Sequence, residues 1–310
     1  MKKNLLFILA LALPLLAFAG KKVTFKMPDV ALPVIPNNVV TLTDFGVKGD
    51  GKTLCTDAFT KAMKKLSSMG GGKLEVPAGI WFTGPIQFES NIELHTAVGA
   101  LIVFTDDYDA YPMIETMFEG NTAKRRMSPL YAYNKENIAI TGHGTFDGNG
   151  QAWRPVKKLK LTDAQWSALT KSGGSVEKNI WYPEIKERAF NRPVLLDFMY
   201  CKKILLKNVT FSNSPAWNVH PCICEDVTIE GVNIKNPWFA QNGDGLDLES
   251  CKRAKIINTT FDVGDDAICI KSGKDAEGRR IGKPCEDVFI SGCTVLHGHG
   301  GFVIGSEMSG

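Results

Sequence analysis

Short strand-like segments recur along this chain with no helix between them, and that recurrence restricts the fold more than any other feature. Val209-Thr210-Phe211, Val232-Asn233-Ile234, Thr259-Thr260-Phe261 and Cys293-Thr294-Val295 are equivalent, at intervals of 23, 27 and 34 residues. The longest interval holds a polar insertion from Lys274 to Lys283. Asn91-Ile92-Glu93-Leu94 and Asn137-Ile138-Ala139-Ile140 look like earlier copies. One such unit cannot bury its apolar face alone, whereas stacked units bury a continuous core. The expected fold is therefore all-β, a parallel solenoid. A leucine-rich repeat would need a regular Leu/Asn spacing, and a β-sandwich would need hairpin turns; neither pattern is present.

A solenoid must close its ends, and the first end has a candidate cap. From about Asp57 to Ser68, Ala58, Phe59, Ala62, Met63 and Leu66 fall on one helical face. Thr56 is placed to cap this helix, and Gly70-Gly71-Gly72 stops it. Residues 41–47 read as a short strand before it. Residues 153–190 break the repeat. There Thr162-Asp163-Ala164-Gln165 has the pattern of a capping box, starting a short helix that ends before Gly173-Gly174 in a loop over one face.

The N-terminus reads as an export signal. Lys2 and Lys3 precede an apolar run from Leu5 to Phe18, and Ala17-Phe18-Ala19 is a small-x-small cleavage site. The run is too short to span a membrane stably, and no Cys follows the site to carry a lipid anchor. The expected organisation is a signal peptide at 1–19, a Pro-rich arm or linker at 20–38, and one domain at 39–310. Without residues 1–19 the 36 Lys and Arg fall to 34 against 33 Asp and Glu, a net charge of +1. Bulk charge thus gives no reason to expect a nucleic-acid partner, and no membrane partner is expected either. At 44% hydrophobic and 22% charged, the chain can bury a large core. The eight cysteines read as buried thiols, because Cys222, Cys224, Cys251, Cys269 and Cys293 lie in apolar strand-like segments and no Cys-x-x-Cys occurs. A zinc site from His220, Cys222 and Cys224 is the weaker alternative; no metal or other cofactor is expected.

Three polar clusters fall at repeat spacing: Asn242-Gly243-Asp244-Gly245, Gly264-Asp265-Asp266 and Gly298-His299-Gly300. Residues one coil apart in a parallel solenoid stack at about 4.8 Å, so Asp244 and Asp265, with Asp266 beside it, can lie together, and His299 falls on the next coil. Taken singly, these clusters could be turn caps, a calcium loop or a glycine-flanked turn histidine. Their ordered recurrence points instead to acid/base chemistry. Hydrolysis of a glycosidic bond needs one protonated and one ionised carboxyl, and crowded carboxylates raise one another's pKa.

On these motifs the chain resembles glycoside hydrolase family 28, the polygalacturonases. The family's Asn-Thr-Asp-Gly corresponds to Asn242-Gly243-Asp244-Gly245, followed by Asp247. Its Gly-Asp-Asp is Gly264-Asp265-Asp266 and its Gly-His-Gly is Gly298-His299-Gly300. The likeness runs from about Leu42 to the last residue and includes Thr145-Phe146-Asp147-Gly148-Asn149-Gly150 and Ser214-Pro215-Ala216-Trp217. It implies a right-handed parallel β-helix that hydrolyses α-1,4-galacturonosyl bonds of pectin with inversion and without a metal. By that likeness Asp265 is the general acid, Asp244 and Asp266 position or activate water, and His299 supports the acid. Asn242, Asp247 and His220 are expected at the substrate. Lys271, Lys274, Arg279 and Arg280 form a basic group suited to sugar carboxylates or an ordinary basic surface, and the wording around them looks like exo-acting bacterial members. Trp217 is either a cleft wall or a packed aromatic.

Two departures stand out. Gly243 replaces a Thr, and the family's Arg-x-Lys motif, one coil after the histidine, lies past Gly310; the expectation is that further C-terminal coils belong to the protein. The alternatives left open are a rhamnogalacturonan hydrolase, a calcium-dependent pectate lyase and a non-catalytic carbohydrate-binding β-helix.

Overall fold

Three parallel sheets of eight, seven and eight strands are wound by successive coils of the chain. The computed structural model describes residues 26–310, so the signal-peptide reading lies outside the described residues. One coil shows the plan. Leu196–Met199 lies in the seven-stranded floor sheet, Lys202–Lys207 in a side sheet and Thr210–Ser212 in a back sheet. The next coil enters the floor again at Val219–Cys222. Repeats aligned in the sequence are aligned in space: Thr210, Asn233, Thr260 and Thr294 are successive partners, as are Phe211, Ile234, Phe261 and Val295. Ile138 likewise pairs with Ile92, and the Asn137 amide donates to Asn91 Oδ1 at 2.8 Å.

The coil corners explain part of the repeat's chemistry. Asn208 and Asn258 alternate with Gly231 and Gly292 at one corner, all with φ between 52° and 64°. Side chains other than Asn and Gly are disfavoured there, so these residue types mark the turn from side to back sheet. Inside, apolar columns run along the axis. Phe146 stacks on Phe211 with centroids 5.4 Å apart, and both are fully buried. Phe211→Ala is expected to cost about 3–5 kcal/mol through lost burial and a cavity between coils. Chemical denaturation measures this, and a loss below about 1 kcal/mol would mean that the neighbouring coils collapse to fill the gap.

Helix α1 (Thr56–Ser68) buries Ala58, Phe59, Ala62, Met63 and Leu66 against the first coils. Thr56 is not its cap: Cys55 holds that position, and the Thr56 hydroxyl accepts from the Gly84 N–H at 2.6 Å instead. The strand expected at 41–47 is also shifted. A strand covers Val39–Thr41, and Leu42–Phe45 then turns into a 3-10 helix, where Asp44 accepts from the Thr41 N–H. Within residues 26–38, the Ala31 and Val34 N–H groups donate to Asp226 and Asn137 on the side sheet.

Every long excursion but one leaves from the rim between back and floor sheets. Met113–Phe118 and Asn121–Arg126 form an antiparallel hairpin there. Residues 150–195 form a lobe. It contains α2 (Asp163–Lys171), capped by Thr162 and Gln165 as the sequence pattern indicates, and α3 (Glu187–Asn191). It also holds a small antiparallel sheet of Val156–Lys157, Ser175–Glu177 and Ile180–Tyr182, two- and three-residue strands too short to show a period. The exception is the insertion after the floor strand Ile268–Lys271, which is the helix α4 (Asp275–Ile281). At the last coil, Ile268, Ile270, Val288, Ile290, Phe302 and Ile304 border an open apolar hollow of about 550 Å³. Among the described residues, no helix is long and apolar enough to cross a membrane.

Candidate active site

Asp244, Asp265, Asp266 and His299 all sit on back-to-floor connections, on three consecutive coils. Backbone hydrogen bonds continue the ladder across these loops. The Gly245 N–H donates to the Asp266 carbonyl and the His299 N–H to the Asp265 carbonyl, both at 2.9 Å. A Cβ on Gly243 would lie 2.6 Å from Ala240 Cβ, so glycine here lets the Asp244 loop fold onto its own start. One carboxylate oxygen from each of Asp244, Asp265 and Asp266 lies within 4.8 Å of the others. His299 Nδ1 is 3.0 Å from Asp265 Oδ1, and the Asn242 N–H donates to Asp265 Oδ2 at 3.2 Å.

The three carboxylates differ in exposure. Asp265 and Asp266 are half-buried, whereas Asp244 is 6% exposed and its Oδ1 has no hydrogen-bond partner. Burial above all, then repulsion from Asp247 and Asp265, pushes the Asp244 pKa up to about 9. A carboxyl in this cluster therefore keeps a proton at neutral pH, and the electrostatics favour Asp244 as its resting place.

Three residues expected at the substrate are instead closed inside the protein. His220, Asp247 and Lys271 stand on the outer face of the floor sheet, where the hairpin packs through Thr116 on Asp197 and Met117 on Cys222, and Gly305 and Glu307 meet Lys271; His220 and Asp247 are fully buried and Lys271 is 5% exposed. They form a layer of ionisable groups beside the loops that carry the acidic trio. His220 lies 3.4 Å from Asp197 and 3.0 Å from Glu249. Burial opposes its charged form, but hydrogen bonds with Asp197, Cys222 and Glu249 outweigh this and raise its pKa well above the ordinary value. Lys271 pairs with Glu307 at 2.7 Å and Asp247 at 3.7 Å. Burial nevertheless lifts the Asp247 pKa to about 7. The ion-pair partners of these residues are Asp197, Glu249 and Glu307 and one another. Trp217 is also packed, stacked on Phe118 at 4.6 Å and 2% exposed.

The basic group is dispersed. Lys274 is half-buried ahead of α4, while Arg279 and Arg280 are exposed on it, Arg280 held by Glu277 at 2.6 Å. Asp265 and Asp266 precede the floor strand Ile268–Lys271 and helix α4 follows it, so these cations stand beyond its far end. The zinc alternative also fails to assemble. Cys224 Sγ points to the Phe198 carbonyl in the core, and the trio that does approach is His220, Cys222 and Glu249. The eight cysteines are free thiols.

Two cations at the site had no sequence signal. Arg192, where the lobe returns to the floor sheet, is buried and donates to Asn242 Oδ1 at 2.7 Å. Lys160, in the lobe, reaches His299. Both belong to aperiodic segments, and only the long-range fold brings them to the rim.

Stacked carboxylates and a histidine on one rim of a parallel solenoid make up a candidate acid/base site. The family model for glycosyl hydrolases family 28 matches residues 73–310, and the chain belongs to that family, with its right-handed parallel β-helix. It is 33% identical over 280 residues to a probable polygalacturonase of Vitis vinifera, covering 87% of this chain and 52% of the relative. It is 26% identical to an exo-poly-alpha-D-galacturonosidase of Dickeya chrysanthemi, covering 87% and 48%. The crystal structure of a hyperthermoactive exopolygalacturonase from Thermotoga maritima superposes with a TM-score of 0.76 at 39% identity, covering 90% of this chain and 65% of the other. The chain thus spans about half the length of these curated relatives.

Proposed function

We propose that this protein is an exported polygalacturonase that hydrolyses α-1,4-galacturonosyl bonds of pectin by inverting acid/base catalysis, acting from chain ends. The observation that carries the reading is the trio Asp244, Asp265 and Asp266, with oxygens within 4.8 Å, set on one rim with His299. A trio that keeps one proton contains both forms that hydrolysis needs, and interacting groups titrate as a unit rather than singly. The shared proton rests on Asp244 and passes to half-buried Asp265, which is held by His299 and delivers it to the leaving oxygen, so that Asp244 is ionised when water is activated. Asp244 and Asp266 hold the water. End-on action is supported by the walls. The hairpin joins α4 through Thr122 and Glu277 at 3.0 Å and through the Lys274 N–H and the Gly120 carbonyl, while the lobe rises on the same rim. The relatives named as exo-acting agree with this. Export is supported by Lys2, Lys3 and Ala17-Phe18-Ala19; the mass of the secreted protein tests it.

Incubation with polygalacturonate is the direct test. Monogalacturonate or a short oligomer should appear as new reducing ends, at the same rate in a chelator and with no absorbance from unsaturated products. An unsaturated product made only with Ca²⁺ would replace this reading with a lyase. Binding without turnover would leave a carbohydrate-binding β-helix.

A further inference from the structure

Lys160 is the one lobe residue whose charged group touches a catalytic side chain. Its Nζ lies 2.8 Å from His299 Nε2 and 3.4 Å from the carbonyl of Gly264, the residue before Asp265. The contact is made by an ordered turn. Lys158–Lys160 is a 3-10 helix whose ends are pinned by Lys158 N–H to the Asn179 carbonyl at 2.8 Å and Leu161 N–H to the Lys158 carbonyl at 3.0 Å. Lys160 itself is half-buried.

An ammonium group has three N–H donors and no lone pair. A hydrogen bond between Lys160 and His299 therefore requires Nε2 to be the acceptor. The imidazole proton must then sit on Nδ1, where it points at Asp265 Oδ1, 3.0 Å away. An imidazolium would place two cations in contact, so the neutral ring is the form that fits. The groups facing this ring are Lys160 on one side and Asp265 on the other, with Asp266 next along the chain from Asp265. We propose that Lys160 is a positioning residue that fixes the Nδ1–H tautomer of His299 and so aims the imidazole at Asp265, making the docked lobe part of the catalytic assembly. Its catalytic consequence rests on the hydrolase reading; the tautomer does not.

The test uses the whole protein with ¹⁵N-labelled histidine, His299 being assigned by comparison with His299→Gln. At neutral pH, His299 in the native protein should carry its proton on Nδ1 alone. In Lys160→Met a proton should appear on Nε2, and kcat on polygalacturonate should fall about 10- to 100-fold, less than the roughly 10²–10⁴-fold that an acid/base group itself contributes. Lys160→Arg, which keeps the donor, should recover most of both. An Nε2 that stays unprotonated in Lys160→Met, or a kcat equal to that of the native protein, would overturn the proposal. If the native protein does not turn over polygalacturonate at all, the hydrolase reading fails while the nitrogen spectrum still decides the role of Lys160.

Discussion

Asp265→Asn is expected to keep the fold and to lower kcat on polygalacturonate by about 10²–10⁴-fold, the contribution of one positioned proton donor. Both Asp265 oxygens are already committed, one facing His299 Nδ1 and one accepting the Asn242 N–H. An amide preserves the shape and one acceptor but cannot deliver a proton to a leaving alcohol. Its NH₂ would also face a donor, either Nδ1–H or the Asn242 N–H, so the His299 contact should loosen as well. Circular dichroism and the melting temperature should stay near native, because the side chain is half-exposed and belongs to no apolar column. Turnover within a few-fold of native in the folded variant would remove Asp265 from the donor role.

The fold could be read from the chain because its repeat is chemical as well as periodic. The same column receives Phe211, Ile234, Phe261 and Val295, and the same corner receives Asn208, Gly231, Asn258 and Gly292. Local residue type and coil geometry therefore agree, which is what makes a sequence specify one structure. The acidic trio was visible for the same reason, since its members keep coil spacing. What was hidden depends on insertions. His220 and Asp247 were expected at the substrate from the family likeness, and Lys271 from its place in a basic cluster. The hairpin at 113–126, packed on Asp197 and Cys222, and the segment carrying Glu307 make that face of the floor an interior. Arg192 and Lys160 lie in the aperiodic lobe, where no spacing rule predicts a contact across 50 or 139 residues. Helix α4 was obscured by Gly278, a poor helix former held there by close packing on Gly273.

Asp244→Asn should do two opposite things, and the pair of effects is diagnostic. The native carboxyl is nearly buried, with one oxygen unpartnered and a pKa of about 9, against about 3.9 for an unfolded Asp. Between those values the folded state holds a proton that the unfolded state has released, so stability falls as pH rises through this window. Below about pH 4 both states are protonated and the penalty vanishes. Asparagine has nearly the same shape and never ionises. It should raise the melting temperature at pH 7–8 by about 2–4 °C for each kcal/mol recovered, and the gain should shrink towards pH 4. Activity should move the other way, by about 10²-fold or more, because the trio loses the group that carries its resting proton. Thermal melts at pH 4 and pH 8, with kinetics on the same preparations, measure both. A stability gain that is absent, or equal at the two pH values, would show that burial of an ionisable Asp244 is not what strains the site. Stabilisation together with inactivation would locate a cost of catalysis in this one carboxyl, held where it does not readily ionise.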